Sequence, residues 1–375
     1  MTQNEVKKKV LIVFGTRPEA IKMAPLIKAI KKVSMFDLKI CVTAQHREML
    51  DSVMGMFSIE ADYDLDIMSP NQTINDISIK VLSHMEKVLF KEKPDIILVH
   101  GDTTTTMASA LAAFYQKIPV GHVEAGLRSE NIYSPFPEEM NRRITSMIAS
   151  YHFAPTTGNR DNLINNGIKG DQIFITGNTV IDALHMVVKD KYIFKTPLLN
   201  EINFIKKRTI VLTLHRRENW GSNIHNILET IKFIMKNYSD VTVIYPVHMN
   251  PKLKQIAYDV FKDIPNVYLT PPLGYMDFAN LMSRSYLVLT DSGGIQEEAP
   301  ALGKPVLVLR TETERPEAVE AGTVKMAGVE KKRISQLIEE LLNNKREYNF
   351  MAQAINPYGD GTAATKICEA LVKCL

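Results

Sequence analysis

The chain has 375 residues, is 45% hydrophobic and 23% charged, and carries a formal net charge of +3. That length exceeds one ordinary core and calls for two domains. The near-neutral charge makes no case for nucleic acid or a membrane surface as a partner. A basic run at 7–9 precedes an apolar run of only 10–14, too short for a signal-peptide core, and no stretch approaches the length of a membrane span. Cys41, Cys368 and Cys374 form no C-x-x-C pair and no metal spacing. They point to a reducing, cytoplasmic setting and to no metal.

Short apolar strands alternate with helical periodicity from end to end. Strands are expected at 10–14, 38–43, 95–99, 120–123 and 173–176, then at 209–214, 241–246, 267–270, 287–290 and 305–309. Helical spacing fills the gaps, as at 19–32, 74–89 and 223–235. Near-continuous apolar strands bounded by turns are the pattern of parallel strands buried on both faces. The fold class is therefore α/β, a doubly wound Rossmann-like domain twice over. We expect domains at 1–178 and 179–361, with a last helix at 362–375 packing back on the first. Ligands of open α/β sheets sit outside the carboxyl ends of the strands, which places the expected site in the cleft between two such sheets.

Chemistry-bearing residues follow those strand ends in order. Gly15-Thr16-Arg17-Pro18-Glu19 ends the first strand and opens a helix, with Lys22 a turn further on. Arg17 and Lys22 can face an anion there, the alternative being solvated surface charge. Asp102, in His100-Gly101-Asp102, reads either as a functional carboxylate or as an N-cap. Glu124 ends the next strand, where a buried carboxylate is costly unless paired or used. Glu138 opens a helix after Pro135-Phe136-Pro137 and has the bland reading of a charge favoured in a first turn. Three carboxylates converging on one cleft are acid–base equipment.

In the second half His215-Arg216-Arg217-Glu218 follows the first strand, and His215 can donate to a phosphate or be structural. Residues 286–298 read YLVLTDSGGIQEE. Strand, Gly-rich turn and helix start make an anion site at Ser292, Gly293 and Gly294, with Glu297 and Glu298 one turn in, where a carboxylate can reach a ribose hydroxyl. An ordinary strand–turn–helix corner is the other reading. Arg315, in Thr311-Glu312-Thr313-Glu314-Arg315-Pro316-Glu317 after a later strand, is a further candidate phosphate ligand. There is no Walker loop, no G-x-G-x-x-G, no metal motif and no nucleophile with a partnered His.

Taken in order, these motifs together with Asn356-Pro357-Tyr358-Gly359-Asp360-Gly361 closely resemble the bacterial non-hydrolysing UDP-N-acetylglucosamine 2-epimerases, from Val10 to the C-terminus. The resemblance implies GT-B architecture, a homodimer, and reversible conversion of UDP-N-acetylglucosamine to UDP-N-acetylmannosamine for cell-surface polysaccharides, with no cofactor. It implies that Arg17, Lys22, His215, Arg315 and the N–H groups of Ser292, Gly293 and Gly294 hold the diphosphate. Glu298 would bind the ribose, and Phe278 with the backbone near Leu273 the uracil. Asp102, Glu124 and Glu138, with His215, would form the catalytic set, Asp102 leading in proton transfer. Many members are activated by substrate at a second site, and Gln45, His46, Arg47, Glu139, Arg216 and His248 stand where its motifs lie. The loop 68–73 lacks the Arg expected there.

No carbonyl acidifies the proton on sugar carbon 2, so expelling UDP from carbon 1 makes its loss feasible, leaving 2-acetamidoglucal. Rival readings are a hydrolysing epimerase, a GT-B glycosyltransferase, which would need an acceptor, and a catalytically silent nucleotide-sugar sensor.

Overall fold

A computed structural model of the protein describes residues 6–44, 47–129 and 131–375. Gln45 and His46 lie outside the described residues. The chain divides into one unit that runs to Ala183 and resumes at Tyr358, and a second unit spanning Leu184–Pro357.

The first unit is a seven-stranded parallel sheet built from β1 (Lys8–Phe14), β2 (Phe36–Val42), β3 (Tyr63–Asp64), β4 (Ile96–His100), β5 (Val120–Val123), β6 (Tyr151–Ala154) and β7 (Ile173–Ile175). Its order is β3-β2-β1-β4-β5-β6-β7. Val10 to Phe14 are all fully buried, because helices cover both faces of a parallel sheet. On one face Leu11, Val13, Ile97 and Val99 pack with Ile77, Val81, Met85 and Leu89 of the helix Ile74–Glu92. That helix starts at a Thr73–Asp76 capping box, which meets two of its free N–H groups, and stops where Lys93 turns left-handed. The final helix, Ala363–Cys374, is anchored from within the unit: Asp182 accepts from the N–H groups of Ala363 and Ala364 at 3.2 and 2.9 Å.

The second unit is a six-stranded parallel sheet of β8 (Arg208–Thr213), β9 (Val241–Pro246), β10 (Val267–Thr270), β11 (Leu287–Thr290), β12 (Val306–Val308) and β13 (Val324–Met326), in the order β10-β9-β8-β11-β12-β13. Leu212, Val243, Leu289 and Leu307 meet the apolar faces of the helices Ser222–Asn237 and Lys331–Asn343. The expected strands all form, within a residue or two of their bounds. β3, β6 and β13 were not expected; β3 has only two residues, and Lys325 breaks the apolar run of β13.

Each sheet reverses direction of strand order once, at β1/β4 and at β8/β11. Such a switch point opens a crevice at the strand carboxyl ends, because the flanking connections leave to opposite faces. Arg17 and Asp102 follow the strands at the first of these points, and His215 with Ser292, Gly293 and Gly294 those at the second.

Candidate active site

At the β1/β4 switch point Glu19 ties the two loops together. Its Oε2 accepts from Gly15 N at 3.0 Å, Thr16 N at 2.8 Å and Thr16 Oγ1 at 2.8 Å. Its Oε1 accepts from Thr103 Oγ1 at 2.7 Å and Thr106 Oγ1 at 3.0 Å. The carboxylate is only 3% exposed, so these five donors offset its burial. Gly15 must lack a side chain there: a Cβ would stand 2.1 Å from Thr43 Oγ1 and 2.7 Å from Thr105 Oγ1. Arg17 sits half-buried at the first position of the helix Arg17–Ile30.

One turn into that helix, the Lys22 ammonium meets the carboxylate of Glu124 on Oε2. His100 Nε2 lies 2.9 Å from the same oxygen, although too poorly aligned to count as a hydrogen bond. Glu124 is 7% exposed at its side chain and directly follows β5. Its φ of +61° is the left-handed region, costly for a residue with a Cβ. Burial pushes its carboxyl up, but Lys22 and His100 outweigh that and hold it well below the usual range.

Asp102 lies beyond the end of β4. Its Oδ2 faces the Arg142 guanidinium, with Nε at 2.9 Å and Nη2 at 2.6 Å, and its carbonyl accepts from Asn141 Nδ2 at 2.9 Å. The preceding Gly101, at φ +67°, donates to Val123 O at 2.9 Å and accepts from His122 Nε2 at 2.7 Å. Strands β4 and β5 are neighbours, so Asp102 and Glu124 leave adjacent strand ends.

Glu138 opens the helix Glu138–Ile148, and its Oε2 is buried with no hydrogen-bond partner among the described residues. Its neighbour Glu139 is fully buried and committed: Arg143 Nε at 2.8 Å, Ser129 N at 3.0 Å and Arg142 Nη1 at 3.4 Å all reach it.

At the β8/β11 switch point Asp291, fully buried, collects the loop that follows β8. It accepts from His215 N at 3.0 Å, Arg216 N at 2.9 Å and Asn219 Nδ2 at 3.0 Å, and His215 Nδ1 stands 2.9 Å away. Burial pushes the Asp291 carboxyl up, while these donors, His215 first, bring it below its ordinary value. Of the three N–H groups in the Gly-rich turn, Ser292 N is engaged by Thr290 Oγ1 at 3.0 Å. Those of Gly293 and Gly294 have no protein acceptor among the described residues. Over Gly293 two guanidinium groups converge: a Cβ built there would be 3.9 Å from Arg216 Nη2 and 4.0 Å from Arg315 Nη2.

Arg315 is only 8% exposed and is held by Glu297 through Nε, while its Nη1 donates to Glu314 O at 3.1 Å. Glu298 follows, buried in the helix Ile295–Ala301. Leu273 and Phe278 are half-buried near the start of the helix Tyr275–Arg284. His248 is exposed beyond β9, with Nδ1 accepting from Asn250 N at 3.2 Å. The motifs pointed to the strand ends, but the supporting contacts made by Glu19, His100, Arg142 and Asp291 were not among the expectations, and Glu297, expected near a ribose, instead holds Arg315. For Glu19 a signal existed, since Thr16-x-x-Glu19 is a capping-box spacing.

The family model described as UDP-N-acetylglucosamine 2-epimerase matches residues 28–372. The chain is 52% identical to the UDP-N-acetylglucosamine 2-epimerase of Escherichia coli K12, covering 97% of this chain and 98% of that one. It is 53% identical to the enzyme of that name from Bacillus subtilis, covering 98% and 95%. Among solved structures it is similar to UDP-GlcNAc 2-epimerase from Neisseria meningitidis bound to UDP-GlcNAc, with a TM-score of 0.86, 50% identity, and 97% and 100% of the two chains covered. The two Rossmann-like units are those of the GT-B fold that these neighbours share. On both sequence and fold, this chain belongs to the UDP-N-acetylglucosamine 2-epimerase family.

Proposed function

We propose that the protein interconverts UDP-N-acetylglucosamine and UDP-N-acetylmannosamine without hydrolysis, by eliminating UDP and adding it back across 2-acetamidoglucal. The observation that carries this reading is the pair of carboxylates at adjacent strand ends. Asp102 and Glu124 each have one oxygen tied to a cation, Arg142 or Lys22, and one oxygen without a protein partner among the described residues. Epimerisation needs a proton removed from one face of the sugar and returned to the other, and two poised carboxylates suit that demand. Asp102 is the leading proton-transfer group; Glu124 and Glu138 complete the acid–base and oxocarbenium-stabilising set.

In the forward step a carboxylate takes the carbon 2 proton. The C–H electron pair becomes the carbon 1–carbon 2 double bond, and the carbon 1–oxygen pair leaves with UDP. The diphosphate gains charge as it leaves and is stabilised by Arg17, His215, Arg315 and the free N–H groups of Gly293 and Gly294, with Lys22 contributing from its place beside Glu124. Glu298 takes the ribose, and Phe278 and the Leu273 backbone the uracil. The Neisseria relative bound to UDP-GlcNAc supports this nucleotide sugar as the ligand.

Products of this kind feed cell-surface polysaccharide synthesis. Three free thiols fit a cytoplasmic enzyme. An apolar patch on the helices Ile74–Glu92 and Thr104–Tyr115, including Ile79, Phe114 and Tyr115, supports a homodimer. For a second, activating nucleotide-sugar site, Arg216 and His248 offer accessible groups, whereas Glu139 would act by holding Arg142 and Arg143.

Product analysis tests the reading. The purified protein with UDP-N-acetylglucosamine alone is expected to yield UDP-N-acetylmannosamine up to a fixed equilibrium ratio. Free N-acetylmannosamine with stoichiometric UDP would assign it to the hydrolysing group. No turnover until an acceptor sugar is supplied would favour a glycosyltransferase.

A further inference from the structure

The orientation of Asp102 is set by consecutive residues of a single helix. Arg142 closes two arms of its guanidinium on one carboxylate oxygen, Nε at 2.9 Å and Nη2 at 2.6 Å from Oδ2. Oδ1 has no protein partner among the described residues. Asn141 meanwhile donates to the Asp102 carbonyl at 2.9 Å, so both backbone and side chain are fixed from the same helix.

The anchor is better buried than the group it holds. The Arg142 side chain is 12% exposed and that of Asp102 27%. Arg142 is itself tethered, its Nη1 3.4 Å from Oε2 of the fully buried Glu139, which Arg143 Nε and Ser129 N also reach at 2.8 and 3.0 Å. An ion pair serving only stability gains most from two parallel bonds, one to each carboxylate oxygen. Here both arms take one oxygen and the other is withheld. Glu124 is arranged alike, with Lys22 and His100 both on Oε2.

We propose that Arg142 is the positioning residue for proton transfer in this enzyme: by pinning Asp102 Oδ2 it makes Oδ1 the oxygen that exchanges the proton on sugar carbon 2. The inference rests on the epimerase reading above. Oδ1 receives the proton as the carbon 1–oxygen bond breaks toward UDP, and returns it in the reverse step. Arg142 stays protonated throughout and acts only through Asp102.

The test compares wild type with Arg142→Ala, Arg142→Lys and Asp102→Asn. The readouts are kcat, KM, UDP affinity by calorimetry, deuterium uptake at carbon 2 from deuterium oxide, and rescue by ethylguanidinium. Loss of orientation predicts a fall in kcat of about 10²-fold for Arg142→Ala, with deuterium uptake falling in step. KM and UDP affinity should stay within about threefold, because the interaction matters at the transition state. Ethylguanidinium should restore part of the Arg142→Ala activity and none of the Asp102→Asn activity. Arg142→Lys keeps the charge but loses the fork, so its kcat should also fall, at unchanged circular dichroism; this covers the case in which the alanine variant does not fold.

A kcat for Arg142→Lys or Arg142→Ala within about threefold of wild type would overturn the proposal. So would an Arg142→Ala loss shared equally by UDP affinity and immune to ethylguanidinium, which is what a merely structural ion pair would give. Wild type that epimerises with an indifferent Arg142 sinks this inference alone; wild type that does not epimerise removes the functional reading and this inference with it.

Discussion

Asp291 and His215 face each other across the β8/β11 switch point, with Asp291 Oδ1 2.9 Å from His215 Nδ1. The carboxylate is fully buried and the imidazole is 45% exposed, so the buried partner orients the exposed one. The same carboxylate caps the backbone N–H groups of His215 and Arg216. One buried charge thereby orients the His215 side chain proposed to meet the diphosphate and anchors the backbone that carries Arg216.

Replacing Asp291 with Ala should leave those two N–H groups without an acceptor and Asn219 Nδ2 with Leu309 O alone. A loss of about 1–3 kcal/mol in unfolding free energy is expected from unmet buried donors. UDP affinity should weaken as well, since the loop carrying His215 and Arg216 loses its anchor. Urea unfolding and UDP calorimetry on the one variant check both. The depressed Asp291 carboxyl adds stability above the unfolded carboxylate range, about 3.9, and that contribution fades as pH falls through its lower folded value.

Lys22→Met should expose what the ammonium does for Glu124. Without it, burial pushes the Glu124 carboxyl upward, leaving a buried carboxylate with His100 as its remaining cause of depression. Removing one partner of a buried pair costs about 3–5 kcal/mol in other proteins, and a destabilisation of that order is expected. The acid limb of the activity profile should move to higher pH. An unchanged acid limb together with weaker UDP binding would show that Lys22 serves the diphosphate alone.

His122 is fully buried, and burial pushes its imidazole down to about 3. Its Nε2 donates to Gly101 O at 2.7 Å, so the neutral ring holds the turn that carries Asp102. Its strand neighbour His152 is lowered by burial too, and Arg128 and His100 disfavour a charge on His122. The unfolded chain takes up a proton near pH 6.5 that the folded chain refuses, so this residue costs stability as pH falls, about 1.4 kcal/mol per unit. Stability measured between about pH 6 and 4 should decline with one proton less slope in His122→Asn than in wild type. Equal slopes would mean that the ring titrates in the folded protein.

Tyr115→Glu combined with Ile79→Glu should convert the proposed dimer to monomer in sedimentation. Both side chains are exposed, at 69% and 65%, on neighbouring helices of the first unit. A wild-type monomer, or a variant that still sediments as a dimer, would move the interface elsewhere or remove it.

Much of the fold was legible because the strands of a parallel sheet are largely apolar runs, and Gly or Pro marks the ends of β1, β4, β9 and β10. β13, with Lys325 at its centre, and the two-residue β3 carry too little of that signal. Within the site, strand-end residues such as Asp102 and His215 stood out by position. Their supports did not, because they come from far along the chain. Arg142 is 40 residues from Asp102, and Asp291 is 76 from His215. No local periodicity records a contact made only when β4 meets the helix Glu138–Ile148, or when β8 meets β11.

The central claim is proton loss and return at carbon 2 through reversible elimination of UDP, and proton NMR in deuterium oxide tests it most directly. With UDP-N-acetylglucosamine as sole addition, the account predicts UDP-N-acetylmannosamine at equilibrium and deuterium at carbon 2 of both epimers. Epimer formation with the carbon 2 proton fully retained, or no epimer and no deuterium at all, would contradict it.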